Sequence, residues 1–305
     1  MQVIVCVDAG GTTCKAGIFT LNGTIISRGY GKAGSPAVEP SNWYLNIKDS
    51  IDDALSNINN EYEIIYIEIG ASGFSALSNH YEIELFFQKQ YNTKCNIISD
   101  TMTALYSVID SSDERGIVVI SGTGVAIFGK NHNDTYLVGG WGHLIRELGS
   151  AYAIVHDFVV ELIDKAEALI PFDELDKVFM KKLNIKNVRE FNQLFYQHTK
   201  DEIASYSVIF KEQANLNNER AICLLKKEGI NLAKQVHNLI NLLKIPNKTK
   251  IGLKGGFIEH DGKYIVEAIT SYFKENKLDL IIDQNPVEQL IGVYRLAKYN
   301  ISKGI

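Results

Sequence analysis

VIVCVDAGGTTCKAGIF, residues 3–19, sets the architecture of this chain. An apolar run at Val3–Val7 leads into a turn rich in glycine and threonine, and a second apolar run at Ala16–Phe19 returns from it. Asn22-Gly23 follows, and this pair favours a two-residue hairpin turn because both residues tolerate positive φ. The pattern predicts a three-stranded meander at the start of the chain.

The same pattern recurs near the middle of the chain. Ile117–Ile120 is an apolar run, Ser121-Gly122-Thr123-Gly124 is a turn, and a returning strand begins at Val125. A single turn of this kind is as well explained by a plain hairpin as by a binding site. Two such turns in matching places favour duplicated lobes, each offering one turn to a shared cleft.

Strands and helices alternate through the first half of the chain. Apolar residues at helical spacing predict helices at 42–58 and 101–109, and apolar runs predict strands at 64–69, 96–99 and 117–120. This alternation is typical of α/β proteins in which helices cover a mixed sheet.

The second half has a different character. The pattern is helical almost throughout residues 150–243. Strands return at 250–253 and 278–282, with a helix at 264–273 between them and a last helix from Pro286. We therefore expect a second α/β lobe that carries a helical insertion.

Length and composition limit the possible functions. The 305 residues suit two domains, which we place at 1–115 and 116–305. A net charge of −5 provides no basic surface for nucleic acid. No apolar run approaches the ~18 to 20 residues of a membrane span, and no signal peptide precedes Val3, so we expect a cytoplasmic protein without a membrane partner. The four cysteines lack C-x-x-C spacing, which argues against zinc sites and disulfides.

The two turns have the composition of a phosphate site. Glycines let the backbone approach an anion closely, and amide and threonine hydroxyl groups donate to its oxygens. Asp8, at the end of the first strand, can hold Mg²⁺ through water, since hard cations prefer carboxylate and water ligands. Gly124–Lys130 matches the start of a G-x-x-x-x-G-K loop. Asn131 follows it and its interior is typical of a strand, so we reject that alternative.

Asp100 stands between a short apolar strand and a helix. Ligands and catalytic groups collect at such strand ends in α/β proteins, so Asp100 is our candidate general base. The alternative is that it caps the helix opening at Thr101. Both roles are compatible.

Two further segments combine glycine with aromatic residues. Gly139-Gly140-Trp141-Gly142-His143 offers close backbone access beside a flat apolar ring of the kind on which sugars pack, although a tight loop around a packed aromatic explains it equally well. Beyond it, Glu147 could reach a hydroxyl while Ser150 caps the next helix. Gly255-Gly256, after a strand, is a candidate place for a nucleotide base and ribose.

At these residues the chain resembles the N-acetylglucosamine kinase branch of the BadF/BadG/BcrA/BcrD ATPase family. The resemblance covers nearly the whole chain and implies two ribonuclease H-like lobes of the sugar kinase, actin and Hsp70 type, with a helical insertion in the C-terminal lobe. It also implies ATP and Mg²⁺ as cofactors, a sugar substrate, a homodimer and catalysis by Asp100. The nucleotide and phosphate ligands that it implies are Gly10, Gly11, Thr12, Thr13, Lys15, Gly122, Thr123, Gly124, Gly255 and Gly256. The sugar ligands that it implies are Ser35, Asp100, Gly140, Trp141, Gly142 and Glu147.

The chain departs from the family pattern at two places. Where the family has Gly-Asp-Glu-Gly-Ser, this chain has Arg146-Glu147-Leu148-Gly149-Ser150, so a sugar-binding aspartate is replaced by the longer Glu147. Ser35 stands where the family has an asparagine. These changes leave the choice of sugar open.

Three functions compete at this point. The favoured one is ATP-dependent phosphorylation of an amino sugar, N-acetylglucosamine at its 6-hydroxyl first, with glucosamine, N-acetylmuramic acid, N-acetylmannosamine and glucose as alternatives. An activator ATPase of radical dehydratases needs paired cluster cysteines, and Cys6, Cys14, Cys95 and Cys223 are not suitably spaced. A sugar-sensing repressor needs a basic helix-turn-helix, and none precedes Val3.

Overall fold

The chain forms two compact units, each with one mixed sheet. The computed structural model describes residues 1–74, 80–259 and 262–305. The first unit comprises Met1–Gly116 and Pro286–Ile305, and the second comprises Ile117–Asn285. Each contains a five-stranded sheet, which confirms the predicted α/β class.

The first sheet begins with the predicted meander. Its strands are β1 (Gln2–Ala9), β2 (Cys14–Thr20), β3 (Ile25–Gly31), β4 (Glu63–Ala71) and β5 (Cys95–Ser99). They lie in the order β3-β2-β1-β4-β5. The β1–β2 and β2–β3 pairs are antiparallel, whereas β1–β4 and β4–β5 are parallel. The carboxyl ends of β1, β4 and β5 therefore meet at one edge, where Asp8 and Asp100 stand.

Alternate residues of β1 face two different layers. The helices that follow in this unit are α1 (Trp43–Ser56), α2 (His80–Tyr91) and α3 (Asp100–Tyr106). Val3, Val5 and Val7 pack with Ile47 and Ile51 of α1 in one buried cluster. Because strand side chains alternate between faces, the residues between these valines need cover on the other face.

The second sheet repeats the topology of the first. Its strands are β6 (Arg115–Ser121), β7 (Val125–Asn131), β8 (Asp134–Gly139), β9 (Lys250–Lys254) and β10 (Ile281–Asp283). Their order, β8-β7-β6-β9-β10, matches β3-β2-β1-β4-β5 strand for strand. The sequence repeat thus corresponds to a repeat of the sheet. Because β7 occupies Val125–Asn131, no phosphate loop forms at Gly124–Lys130, as predicted.

Helices make up most of the remaining second unit. They are α4 (Ala151–Glu167), α5 (Glu174–Lys182), α6 (Glu190–Gln197), α7 (Lys200–Ser205), α8 (Val208–Asn215), α9 (Glu219–Leu243), α10 (Gly256–Glu259) and α11 (Lys263–Glu275). The long helix α9 begins where the Asn218 side chain accepts the Ala221 amide, and it ends at left-handed Lys244. Among the described residues, no helix combines the length and apolar character needed to cross a membrane.

Strand β10 is shorter than the predicted strand at 278–282. The amide of Leu278 donates to the Phe273 carbonyl, so this residue closes the turn that ends α11. Pairing with β9 starts only at Ile281, which lies opposite Lys250. Leu278 and Leu280 lie in an irregular segment and pack against the core of the second unit. Their apolar alternation resembles that of a strand, which is why the sequence predicts a longer one.

The last helix, α12 (Gln289–Lys303), packs with the first unit. The sequence pattern places residues 286–305 in the C-terminal lobe, whereas in the structure they belong to the first unit. Leu290, Val293 and Ala297 form one buried cluster with Ile4 and Cys6 of β1. Helix α12 thus covers the face of β1 that α1 leaves open.

Candidate active site

The first glycine–threonine turn is short and open. The Gly10 amide donates to the Thr13 carbonyl at 3.0 Å, and the Gly10 carbonyl accepts the Gly34 amide at 3.0 Å. The side chains of Thr12 and Thr13 are exposed. Such a turn presents hydroxyl groups to solvent, as a phosphate site requires.

Asp8 and Lys15 flank this turn on neighbouring strands. They lie directly opposite each other in the β1–β2 ladder, so their side chains share one face of the sheet. No group of three or more metal-binding His, Cys, Asp or Glu side chains occurs in the part of the chain that the structure describes. A single strand-end carboxylate fits Mg²⁺ held mainly by water and nucleotide phosphates.

Asp100 is the first residue of α3, directly after β5. The helix is therefore preceded by Ser99 at the cap position, and Asp100 lies within the first turn. Burial raises the pKa of the Asp100 carboxyl, while hydrogen bonds from Ser72 and from the Thr101 amide oppose that rise. A carboxylate with a raised pKa is a better proton acceptor, which suits a general base.

Ser72 connects the functional segments of the first unit. Its side chain hydrogen-bonds the Asp100 carboxylate, and its amide donates to the Ala9 carbonyl at 2.9 Å, just before the first turn. Its carbonyl accepts the Ser35 hydroxyl at 2.9 Å. Ser35 is only 2% exposed, so its hydroxyl supports Ser72 in this structure.

The amide of Gln289 also fixes the Asp100 backbone. Its Nε2 donates to the Asp100 carbonyl at 3.0 Å and to the Thr103 hydroxyl at 2.9 Å. Helix α12, which supplies Gln289, therefore holds the start of α3. We did not predict Ser72 or Gln289. A serine after the apolar strand β4 was a usable signal for the first, whereas nothing local marked the second.

The second glycine–threonine turn is tied into the protein. The buried hydroxyl of Ser121 donates to the Gly149 carbonyl at 2.6 Å, and the Gly122 carbonyl accepts the Ala151 amide at 2.9 Å. Gly255 has φ +99°, and a Cβ there would collide with the Ser121 backbone. The structure thus brings the second turn, the start of α4 and the Gly255-Gly256 pair together within the second unit.

A cavity of about 360 Å³ lies beside this turn. Gly122, Thr123 and Gly256 line it, together with residues of α7 and with Lys211 and Phe257. Lys211 Nζ donates to the Gly256 carbonyl at 3.2 Å and lies 5.1 Å from the centre of the Phe257 ring. The cavity joins the predicted phosphate residues to the predicted adenosine residues.

The tryptophan–glycine loop follows β8. Gly139, Gly140 and Gly142 all have positive φ, at +82°, +72° and +83°, which a residue with a side chain rarely adopts. The Gly140 amide donates to the Val125 carbonyl at 2.7 Å, which fastens the loop to β7. Trp141 is 65% exposed and offers its ring to solvent.

Glu147 and Ser150 stand at the end of this loop. The Ser150 hydroxyl accepts the Ala153 amide at 3.0 Å and caps α4, as predicted. The Glu147 carboxylate, which we predicted as a sugar ligand, instead accepts the Val125 amide at 2.7 Å and lies 3.3 Å from Lys200 Nζ. Neither Lys200 nor Lys211 was predicted, because both lie in helices without a local motif.

The two units define a class of protein: a duplicated α/β fold with a glycine–threonine turn after the first strand of each sheet and a cavity beside the second turn. Residues 5–294 match the model of the BadF/BadG/BcrA/BcrD ATPase family, and the chain belongs to that family. The family resemblance is thereby confirmed over almost the whole chain.

Two curated proteins and one solved structure resemble the chain over most of its length. The N-acetylmuramic acid/N-acetylglucosamine kinase of Clostridium acetobutylicum is 24% identical over 298 residues, covering 90% of this chain and 92% of that protein. The N-acetyl-D-glucosamine kinase of Dictyostelium discoideum is 24% identical over 281 residues, covering 86% and 87%. The solved structure of a candidate N-acetylglucosamine kinase from Chromobacterium violaceum covers 97% of this chain and 99% of its own, with 16% identity and a TM-score of 0.70.

These comparisons confirm two of the predictions. The structural likeness confirms the sugar kinase type of fold, with its two ribonuclease H-like lobes. Both curated relatives are sugar kinases, which transfer a phosphoryl group to an alcohol, so the predicted enzyme class is confirmed as well.

Proposed function

We propose that the chain is an ATP-dependent kinase of an amino sugar, with N-acetylglucosamine, phosphorylated at its 6-hydroxyl, as the first candidate substrate. The observation that carries the proposal is the half-buried Asp100 carboxylate, which Ser72 ties to the first glycine–threonine turn. A proton acceptor beside a phosphate-binding turn is what phosphoryl transfer to a hydroxyl requires.

In this proposal Asp100 accepts the proton of the attacking sugar hydroxyl. Burial raises the pKa of its carboxyl, so the carboxylate gains basicity. Ser72 and the Thr101 amide orient the carboxylate, and Gln289 fixes the backbone from which it projects. The first unit thus supplies the proton-transfer group in a held position.

ATP is assigned to the two turns and to the cavity of the second unit. Membership in an ATPase family supports ATP as the nucleotide. Gly122 and Thr123 line the cavity and are assigned to the phosphates, and Gly256 and Phe257, which also line it, are assigned to the adenosine. Bound Mg²⁺, with Asp8 as its water-mediated partner, would neutralise phosphate charge.

The sugar is assigned to the loop around Trp141. Its exposed indole offers a flat apolar face, and the backbone at Gly140 and Gly142 permits close approach. Ser35, predicted as a sugar ligand, is assigned the role of holding Ser72 in the first unit, because its hydroxyl donates to the Ser72 carbonyl. The family homodimer stays a prediction.

N-acetylmuramic acid is the second candidate substrate, because one curated relative is named for both sugars. The activator ATPase alternative loses further support. Cys6, Cys14 and Cys95 are buried, and burial raises the pKa of all three thiols, which disfavours the thiolates that an iron–sulfur cluster needs.

A screen of purified protein tests the proposal. ATP consumption is coupled to detection of ADP over N-acetylglucosamine, N-acetylmuramic acid, glucosamine, N-acetylmannosamine and glucose, and the phosphorylated position is identified by NMR. We expect sugar-dependent turnover with an N-acetylated amino sugar preferred over glucose. Turnover that is independent of every sugar would reject the kinase in favour of a simple ATPase.

A further inference from the structure

The Glu147 carboxylate lies against the second glycine–threonine turn. Its Oε2 accepts the Val125 amide at 2.7 Å, and its Oε1 lies 3.3 Å from Lys200 Nζ. The side chain is only 4% exposed. Both oxygens are therefore engaged by the protein.

The backbone after Glu147 is held by two side chains of α9. The Leu148 carbonyl accepts Gln235 Nε2 at 2.8 Å, and the Gly149 amide donates to Glu228 Oε2 at 2.7 Å. Turning the Glu147 carboxylate outward would break its own bonds to Val125 and Lys200 without freeing the loop. The Glu147 side chain therefore points toward Val125 and Lys200 because both its carboxylate and its backbone are held by hydrogen bonds.

The position of Lys200 is also fixed by its surroundings. It opens α7 directly after Thr199, whose hydroxyl and backbone form a capping box with Glu202. A Cβ on Gly124 would lie 2.8 Å from Lys200 Nζ and 2.9 Å from both Glu147 oxygens. The ion pair therefore occupies the space over Gly124 that a side chain would fill.

The two partners differ in accessibility. The Lys200 side chain is 30% exposed, against 4% for Glu147. An ammonium group has three donors, and only one points to Glu147, so the others can reach an anion beside the turn. Lysine binds phosphates as a point charge, and the buried carboxylate both fixes it and is neutralised by it.

We propose that Glu147 is a positioning residue of the nucleotide site, and that Lys200 is the phosphate ligand it holds beside Gly122-Thr123-Gly124. This inference rests on the proposed ATP-dependent function. It replaces our prediction that Glu147 accepts a sugar hydroxyl. The substitution of glutamate for the shorter family aspartate then serves the second turn, because the longer side chain reaches the Val125 amide.

Glu147→Gln and Lys200→Met test the proposal. Gln keeps an oxygen to accept the Val125 amide but removes the charge that holds Lys200. We expect each variant to raise the KM for ATP about tenfold, the size of one lost charge-assisted hydrogen bond, with the KM for the sugar unchanged. Lys200→Arg keeps the charge and should restore most of the ATP affinity.

Lys182→Met is the matched control, since it removes an exposed ion pair of 2.9 Å with Glu212 in the same unit. It should change neither KM. Calorimetry with a non-hydrolysable ATP analogue, without sugar, measures nucleotide affinity directly. A raised sugar KM at unchanged ATP affinity, or no change in either, would overturn the inference. If wild-type protein phosphorylates no sugar, the proposed function fails, while the calorimetric comparison still decides the role of Lys200.

Discussion

The two glycine–threonine turns share a sequence pattern but differ in their surroundings. The first is exposed from Gly11 to Thr13, and backbone hydrogen bonds at Gly10 hold it. The second follows the buried Ser121 and is fixed to the loop and helix at Gly149 and Ala151. The same motif therefore occurs once in an exposed turn and once in a turn that is hydrogen-bonded to neighbouring segments.

This difference indicates that the two units have different roles, proton transfer in the first and nucleotide binding in the second. The first unit carries a half-buried carboxylate, Asp100, whose pKa is raised by burial and lowered by hydrogen bonds from its neighbours. The second unit surrounds its turn with the Glu147–Lys200 pair and a cavity of about 360 Å³. We expect changes around Asp100 to alter the rate of chemistry, and changes around the second turn to alter nucleotide affinity or stability.

The largest effect is expected at Asp100. Asp100→Asn removes the proton acceptor at nearly constant volume, so kcat should fall by about 10² to 10⁴, the usual contribution of a general base. ATP affinity, measured by calorimetry, should stay near that of the wild type. A variant that keeps more than half of the wild-type kcat would remove Asp100 from the mechanism.

The second effect concerns stability, at Gly255, which packs against the Ser121 backbone at the start of the second turn. Gly255→Ala forces a side chain into φ +99° and into the Ser121 backbone, and left-handed strain alone costs about 1–3 kcal/mol. Gly11→Ala is the matched change in the first turn. Its Cβ would meet only Val38 Cγ2, at an ordinary 3.6 Å, so the free energy of unfolding should change by less than about 0.5 kcal/mol.

Urea unfolding of both alanine variants measures these two values. Similar losses at Gly255 and Gly11 would abolish the contrast between a tightly packed turn and an open one. A loss confined to Gly255 would sharpen it.

The third effect separates nucleotide binding from stability within the second turn. A Cβ on Gly122 would meet only the Gly256 amide nitrogen, at 3.9 Å, so Gly122→Val should fold. The branched side chain would enter the cavity where the phosphates are expected. We predict that the KM for ATP rises about tenfold or more, as for one lost charge-assisted hydrogen bond. Unchanged nucleotide affinity in a folded variant would contradict this assignment.

Local patterns were enough to predict the framework of both sheets. The strand–turn–strand units at β1–β2 and β6–β7 follow from apolar runs interrupted by glycine. Strand β8 was not predicted because most of its residues are exposed and its sequence, Asp134–Gly139, begins with polar residues. The assignment of α12 was wrong because an amphipathic pattern shows that a helix has an apolar face, but not which sheet that face covers.

The candidate site shows the same limit. Glycine turns and strand-end carboxylates are marked by their neighbours in sequence, so Asp8, Asp100 and the two turns could be named. Lys200 and Gln289 act through contacts with residues far away in the chain, Glu147 and Asp100, and tertiary packing alone creates these pairs. The direction of the Glu147 side chain likewise depends on Val125 rather than on its own segment.

The smallest effect is expected at Ser72, and it tests how the first unit tunes its base. The Ser72 hydrogen bond lowers the pKa of the Asp100 carboxyl against the rise caused by burial. Ser72→Ala removes the opposing interaction, so the pKa of Asp100 should rise further and the acidic limb of the kcat/KM profile should move to higher pH. Activity on the alkaline side should fall only a few-fold, because the carboxylate is ionised there and retains the Thr101 amide.

Ser72→Thr should restore the wild-type limb, and Ser56→Ala, which removes an exposed hydroxyl bonded to the Asp53 carbonyl, should leave it in place. An unshifted limb in Ser72→Ala would show that Ser72 does not tune the basicity of Asp100, which would then depend on burial and on the backbone amides at the start of α3.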